Sequence, residues 1–290
     1  MSSFHGAHGR AAYFEGWYLK HESGADTVAL IPALHRDHGR ASASLQVITD
    51  AQTFCLDFPE KALRVGLDGT SVRLGESTFT EQGCRLRCHT GDLELVGELQ
   101  YGPCTRPRYD IMGPFRFVPG MECRHSVFSL HHRVDGRLTL NGKPYVFQDG
   151  LGYWEGDRGV SFPRRYLWTQ GSWDQGCAML SVAEIPYGLL RFTGCICSVL
   201  LNGREHRLAT YLGARPERIS GEAVTVAQGR LRLEAELLDG APQPLRAPQS
   251  GAMSRTIHES AACRVRYRLT DGDRVLLDLT CPRASFENEW

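Results

Sequence analysis

The sequence carries no excess of either charge, with 33 lysines and arginines against 33 aspartates and glutamates. Without a basic block or stripe, nucleic acid and anionic membrane surfaces are not expected partners. No apolar run approaches membrane-spanning length, and residues 1–12 are polar without the apolar core of a secretory signal, so no integral membrane segment and a cytoplasmic location are expected. Ten cysteines are present, but the close pairs Cys84/Cys88 and Cys195/Cys197 miss the Cys-x2-Cys spacing, and no histidine-bearing half-site accompanies them. Zinc is therefore not expected, and the thiols read as reduced, mostly buried small hydrophobes. Also missing are Gly-x4-Gly-Lys-Ser/Thr, His-Glu-x2-His and Gly-x-Ser-x-Gly, while Gly150, Gly152 and Gly156 lack the dinucleotide-binding spacing. Nucleotide cofactors, zinc-peptidase chemistry and serine hydrolysis are set aside.

What the chain has is strands. Its 290 residues suffice for one large all-β domain or two ordinary ones. Leu231, Leu233, Ala235 and Leu237 alternate with Arg230, Arg232, Glu234 and Glu236, and Val265, Tyr267 and Leu269 repeat the pattern. Asp135-Gly136, Asn141-Gly142 and Asn202-Gly203 stand between apolar runs as hairpin turns. Residues 35–40 read as a polar loop with His35 and His38 in water, 103–119 as a proline-rich irregular connection, and 253–262 as a short helix. The aromatic segments opening at Phe14 and Tyr166 echo each other, each heading a half of about 140 residues. An antiparallel fold of two lipocalin-like barrel or sandwich domains with little helix, 1–158 and 159–290, is expected.

The densest chemistry lies in 152–170. Glu155 and Asp157 alternate there among Tyr153, Trp154, Phe162 and Trp168, an apolar company that favours the neutral form of a carboxyl. Gly156, Gly159 and Pro163 interrupt the pattern, predicting a strand end, a turn and a new strand from about Tyr166. Upstream, period two puts Glu15, Trp17 and Leu19 on one strand face and Phe14, Tyr18 and Lys20 on the other. Glu122 and His125 lie three apart at a strand edge.

Tyr13-Phe-Glu-Gly-Trp-Tyr-x-Lys, Met121-Glu-Cys-x-His, Leu140-Asn-Gly-Lys, Gly152-Tyr-x-Glu-x-Asp-x-Gly-x-Ser-Phe-Pro, Leu200-Leu-Asn-Gly, Ala209-Thr-Tyr and Met253-x-Arg-x-Ile-x-Glu occur in this order over nearly the whole chain. The succession resembles the tocopherol cyclase family, especially its bacterial members. The resemblance implies paired lipocalin-like β domains related to carotenoid hydratase-like proteins, and no metal or organic cofactor. It implies cyclisation of a prenylated quinol, in which a phenolic hydroxyl adds across an alkene. That chemistry needs a protonated carboxyl in an apolar cavity, aromatic faces for a tertiary cation, and exclusion of water. Asp157, Glu155, Glu15 and Glu122 are the candidate catalytic acids, with His125 as acceptor of the phenol proton. Trp17, Tyr18, Trp154, Phe162 and Trp168, with Glu259, are expected at the hydrophobic substrate. Where the family pattern has a tryptophan after the second acid, this chain has Arg158, which could pair with a carboxylate or bind an acidic substrate group. A non-catalytic carrier with a β-barrel cavity and a hydratase of an isoprenoid alkene are the competing readings, and the oligomeric state is left open.

Overall fold

The strand Ala12–Ser23 (β1) buries nearly every residue, which simple alternation cannot produce. A strand with one wet face exposes every second side chain, whereas one covered on both faces exposes none. The computed structural model, which describes residues 4–6, 11–90, 93–187 and 190–290, shows what covers both faces. Two large antiparallel sheets each wrap around an apolar core, and β1 lies where they meet.

The first sheet contains β1, β2 (Asp26–Asp37), β3 (Arg40–Thr49), β4 (Thr53–Pro59), β5 (Leu63–Val65), β6 (Ser71–Leu74), β7 (Ser77–Thr80), β8 (Gly83–Thr90), β9 (Leu93–Tyr101), β10 (Cys123–Leu140) and β11 (Lys143–Gly159). The second contains β12 (Tyr166–Trp173), β13 (Gly176–Tyr187), β14 (Leu190–Leu201), β15 (Arg204–Ala209), β16 (Arg215–Ile219), β17 (Ala223–Gln228), β18 (Leu231–Asp239), β19 (Gln243–Gln249), β20 (Ala252–Asp271) and β21 (Arg274–Asn288). Among the described residues there is no α-helix, only three short 3-10 turns.

Both sheets follow one plan. In the first the order is β4-β3-β2-β1-β11-β10-β9-β8-β7-β6-β5, and in the second β15-β14-β13-β12-β21-β20-β18-β17-β16, with β19 added beside β20. In each, the first strand pairs with the last, and the two edge strands are consecutive in the chain. The 3-10 turn Glu60–Ala62 joins β4 to β5, and Thr210–Leu212 lies between β15 and β16.

Trp17, Leu19, Leu30, Leu45, Phe128 and Trp154 belong to the first interior, with Trp17 and Trp154 edge to face at 4.9 Å. Leu167, Val182, Val224, Leu233, Val265 and Tyr267 belong to the second. A third apolar cluster, with Tyr18, Tyr153, Tyr166, Trp168 and Met179, fills the seam between the halves. Gln46 ties the seam by accepting from the Arg246 amide and donating to its carbonyl, both at 2.9 Å.

Several sequence expectations change. β11 runs unbroken to Gly159, because Gly156 is a point of close approach rather than a strand breaker. A Cβ there would lie 2.9 Å from Gly16 O, Phe128 Cε2 and Trp17 Cδ1. Asp135-Gly136 is a bulge inside β10, with a register shift between Val134 and Gly136; Gly136 has φ 133° and sits against Glu98 O. The Asn-Gly turns at 141 and 202 stand, each asparagine taking positive φ. Residues 253–262 are strand, not helix. His35 belongs to β2 and is 5% exposed, whereas His38 lies at the exposed turn. All ten cysteines are free.

Candidate active site

The seam encloses a cavity of about 190 Å³. It lies between the barrels, not inside either, because the barrel interiors are filled by their own side chains. Register explains the composition of the first wall. Across β1, Gly16 pairs with Asp157 and Ala33, Tyr18 pairs with Glu155, and Phe14 pairs with His35. His125 stands opposite Asp157 on the next strand. Residues paired across a sheet share a face, so this face of the first sheet gathers Tyr18, Glu155, Asp157, His125 and His35. The facing wall comes from β12, β20 and β21, where Glu287 pairs with both Trp168 and Glu259.

His125 sits between two carboxyl groups. Its Nδ1 lies 3.0 Å from Asp157 Oδ1, and its Nε2 3.2 Å from Glu155 Oε2. The second contact is close but off the hydrogen-bond axis, leaving Nε2 without an aligned partner. Burial alone would lower the proton affinity of this ring, but Glu155 and Asp157 outweigh it and raise the pKa well above 6.5. Tyr153 donates to Glu155 Oε2 at 2.5 Å, and the Cys123 thiol to Asp157 Oδ1 at 3.4 Å. The ligand atoms of His125, Glu155 and Asp157 lie within 4.8 Å of one another. The carboxyl groups, however, engage opposite ring nitrogens, so gathering all three on one ion would require the imidazole to turn.

The opposite wall holds carboxyl groups in another state. Glu259, 2% exposed, accepts from Tyr18 Oη at 2.5 Å, and that phenol is also 2.9 Å from Ser285 Oγ. Burial pushes the Glu259 pKa up to about 7, against the opposing pull of the Tyr18 hydrogen bond and the Lys20 charge. Glu287, hydrogen-bonded by Tyr166, is raised well above the ordinary carboxyl range, first by burial and then by the charges of Glu289, Asp157 and Glu155. Lys20 is itself fully buried, 3.1 Å from Glu22 Oε1 and 2.7 Å from Arg283 O. Trp168 meets Tyr18 edge to face at 5.3 Å, and Phe162 meets Phe14 at the same distance. At one end of the cavity Met112 and Phe115 contribute from the connection after β9. That connection is clamped by Arg207, which donates to the carbonyls of Tyr109 and Asp110, and by Tyr211.

Of the sequence candidates, the cavity gathers Asp157, Glu155, His125, Tyr18, Phe162, Trp168 and Glu259, with Trp17 at its edge and the exposed Glu122 at its rim. Three others do not border it. Glu15 shares the Trp17 face of β1, and its carboxylate accepts from the amides of His5 and Gly6 and from Tyr13 Oη at 2.8 to 2.9 Å, fastening the N-terminal segment. Trp154 is fully buried in the first interior. Arg158 stands across from Glu15, one residue out of phase with Glu155 and Asp157, and so is turned from the cavity. Sequence reasoning missed Glu287, whose signal was faint: an acid near the chain end, next to Phe286. It also missed the hydroxyl partners Tyr166 and Ser285.

No family model and no curated protein matches the chain. Solved structures do. Kievitone hydratase from Nectria haematococca superposes with a TM-score of 0.56 at 10% identity, covering 96% of this chain and 88% of that one. A candidate AttH (NE1406) from Nitrosomonas europaea gives 0.53 at 14% identity, covering 96% and 92%. The fold is a double lipocalin. At such identities the likeness extends to architecture alone. Within this double-lipocalin fold the seam site owes its chemistry to the chain's own residues.

Proposed function

We propose that the protein catalyses acid-initiated addition of a hydroxyl group across a carbon–carbon double bond of a prenylated, hydrophobic substrate. The carrying observation is Glu259, a buried carboxyl whose pKa is held near 7 in an aromatic cavity, facing Glu155 and His125. An alkene is a weak base, so its protonation needs an acid that still carries its proton near neutral pH.

Glu259 gives that proton to one alkene carbon, and the positive charge develops on the other. Tyr18, Ser285 and Lys20 stabilise the Glu259 carboxylate left behind, which assists transfer at the moment it occurs. The faces of Trp168 and Tyr18 flank the cation. Opposite them stand Glu155 and Asp157, the acids that raise the proton affinity of His125, and carboxyl groups there favour the cation further. The incoming hydroxyl forms the new C–O bond and releases its proton to Glu155. When the hydroxyl belongs to the substrate, one proton is spent and one returned, and the product is a ring isomer of the substrate. The tocopherol cyclase-like motifs support this cyclisation of a prenylated quinol. If water supplied the hydroxyl instead, the same first step would give hydration, an outcome favoured by the architecture shared with a hydratase.

The test is incubation with a prenylated hydroquinone and chromatography of the products. A chromanol whose formation is abolished in Glu259→Gln supports cyclisation, and a tertiary alcohol supports hydration. Release of unchanged ligand by the wild-type protein would overturn both and leave a carrier.

A further inference from the structure

We propose that His35 holds a hydroxyl group of the substrate, other than the one that adds to the alkene, at the far end of the cavity, making the substrate an elongated lipophile with its alkene and this anchoring hydroxyl at opposite ends. This deepens the proposed reaction, on which only the placement of the alkene depends. His35 borders the cavity and is 5% exposed. Its Nε2 is anchored 2.8 Å from Ser44 Oγ, while Nδ1 is buried without any hydrogen-bond partner. A buried polar atom left unpaired costs free energy that a ligand group can recover.

The neighbouring polar groups are already committed. Gln46 spends both ends of its amide on the Arg246 backbone, and the Arg246 guanidinium is paired with Asp57 and Cys55. Burial first, then the Arg246 charge, lowers the His35 pKa to about 4, so the ring is neutral and offers no charge to an anion. Ser44 can donate to Nε2 or accept from it, which leaves Nδ1 as donor or acceptor respectively. A hydroxyl satisfies either tautomer, whereas a carbonyl satisfies only one.

The register sets the span. Phe14, the partner of His35, lies four positions along β1 from Tyr18, which touches Glu259. Four residues of strand and one step across the sheet make roughly 14 Å between the two ends. Between them, Gly16 and Ala33 form a floor so low that a Cβ on Gly16 would come within 3.1 Å of Ala33 Cβ. That floor leaves room for a narrow apolar chain.

Farnesol, with an alkene at one end and a hydroxyl at the other, and farnesene, which lacks the hydroxyl, are the probes. Affinity is read by quenching of tryptophan fluorescence, and the imidazole of His35 by nitrogen-15 NMR of the wild-type protein. Farnesol should bind about tenfold tighter than farnesene and shift the His35 Nδ1 resonance, which farnesene should leave in place. His35→Leu should remove the preference while keeping farnesene affinity, and Ser44→Ala should weaken it. A hydroxyl preference that survives His35→Leu, a stationary Nδ1 resonance in the farnesol complex, or binding of neither probe would overturn the inference. Because these readouts need no turnover, farnesol seated at His35 but left unreacted would count only against hydration, and a prenylated hydroquinone left unreacted would count against the catalytic reading, neither against this one.

Discussion

The wall made by β10 and β11 and the wall made by β20 and β21 each present two carboxyl groups to one cavity, and the two pairs differ in what stands beside them. Glu155 and Asp157 flank a histidine that they hold protonated. Glu259 and Glu287 have tyrosine hydroxyls, as Glu155 does in Tyr153, but no histidine, and burial raises both. A neutral hydroxyl satisfies hydrogen-bonding capacity without repaying the desolvation of a charge, whereas a cation repays much of it. Residues of one type thus meet two environments, one that raises the carboxyl pKa and one that raises the proton affinity of a histidine beside it.

The largest break in this comparison should come from Glu259→Gln, which removes the proton but keeps the shape. Turnover of a prenylated hydroquinone should fall by roughly 10³-fold, the middle of the range for a general acid, with ligand affinity changed little in a binding titration. Glu155→Gln should cost about 10²-fold in turnover, and it should also lower the His125 pKa, visible as an imidazole titration moving to lower pH by NMR. If His125 titrated unchanged, the description of the first wall would be wrong.

The pH dependence sharpens the contrast. In the proposed reaction Glu259 acts in its protonated form, so kcat/KM should decline as pH rises through about 7. Stability carries the same sign for this group. A folded pKa raised from 4.5 to about 7 gives stability that is fully present below 4.5 and is lost as pH rises through about 7, on the order of 3 kcal/mol at 1.36 kcal/mol per pKa unit. His21 and His132 run the other way. Burial lowers them to about 4 and about 3, so their contribution is present above 6.5 and lost as pH falls through those values. Urea midpoints measured against pH should carry both contributions, and Glu259→Gln should remove only the one that declines between pH 4.5 and about 7. The smallest effect on turnover belongs to Glu15→Gln. It should change kcat by less than about threefold, since Glu15 does not border the cavity, yet lower the melting temperature by several degrees because a buried, charge-assisted anchor is lost. A large loss of kcat would return Glu15 to the catalytic set.

Much of this was legible in the sequence, for identifiable reasons. The alternation of Glu155 with Asp157 placed both on one face, and the aromatic strand around Tyr18 was read as a site element. What stayed hidden depended on two-sided burial. In β1 the sequence offers candidates on both faces, Glu15 and Trp17 on one and Tyr18 on the other, because a sequence does not show that the face with Tyr18 meets a second sheet. His35 read as loop because Asp37, His38 and Gly39 are polar, although Ile31, Ala33 and His35 alternate toward the cavity. Met253, Ile257 and Ala261 fall at helical spacing, but Ile257, Glu259 and Ala261 also alternate, and pairing with β19 and β21 decided for strand.

The pairing of first strand with last in each half also governs how the molecule is born. Phe14 meets Gly159, 145 positions later, and Leu167 meets Asn288, 121 positions later. Such ladders form late, since the loop between their partners must be ordered first. On the ribosome the first sheet can close while the second is still emerging, but Glu287 arrives only after β20, and Glu259 waits for β21 to settle beside it. Until then the seam is an exposed apolar flank with Glu155 and His125 open to water. Synthesis therefore delivers β1 and β11 well before the strands that cover their seam face.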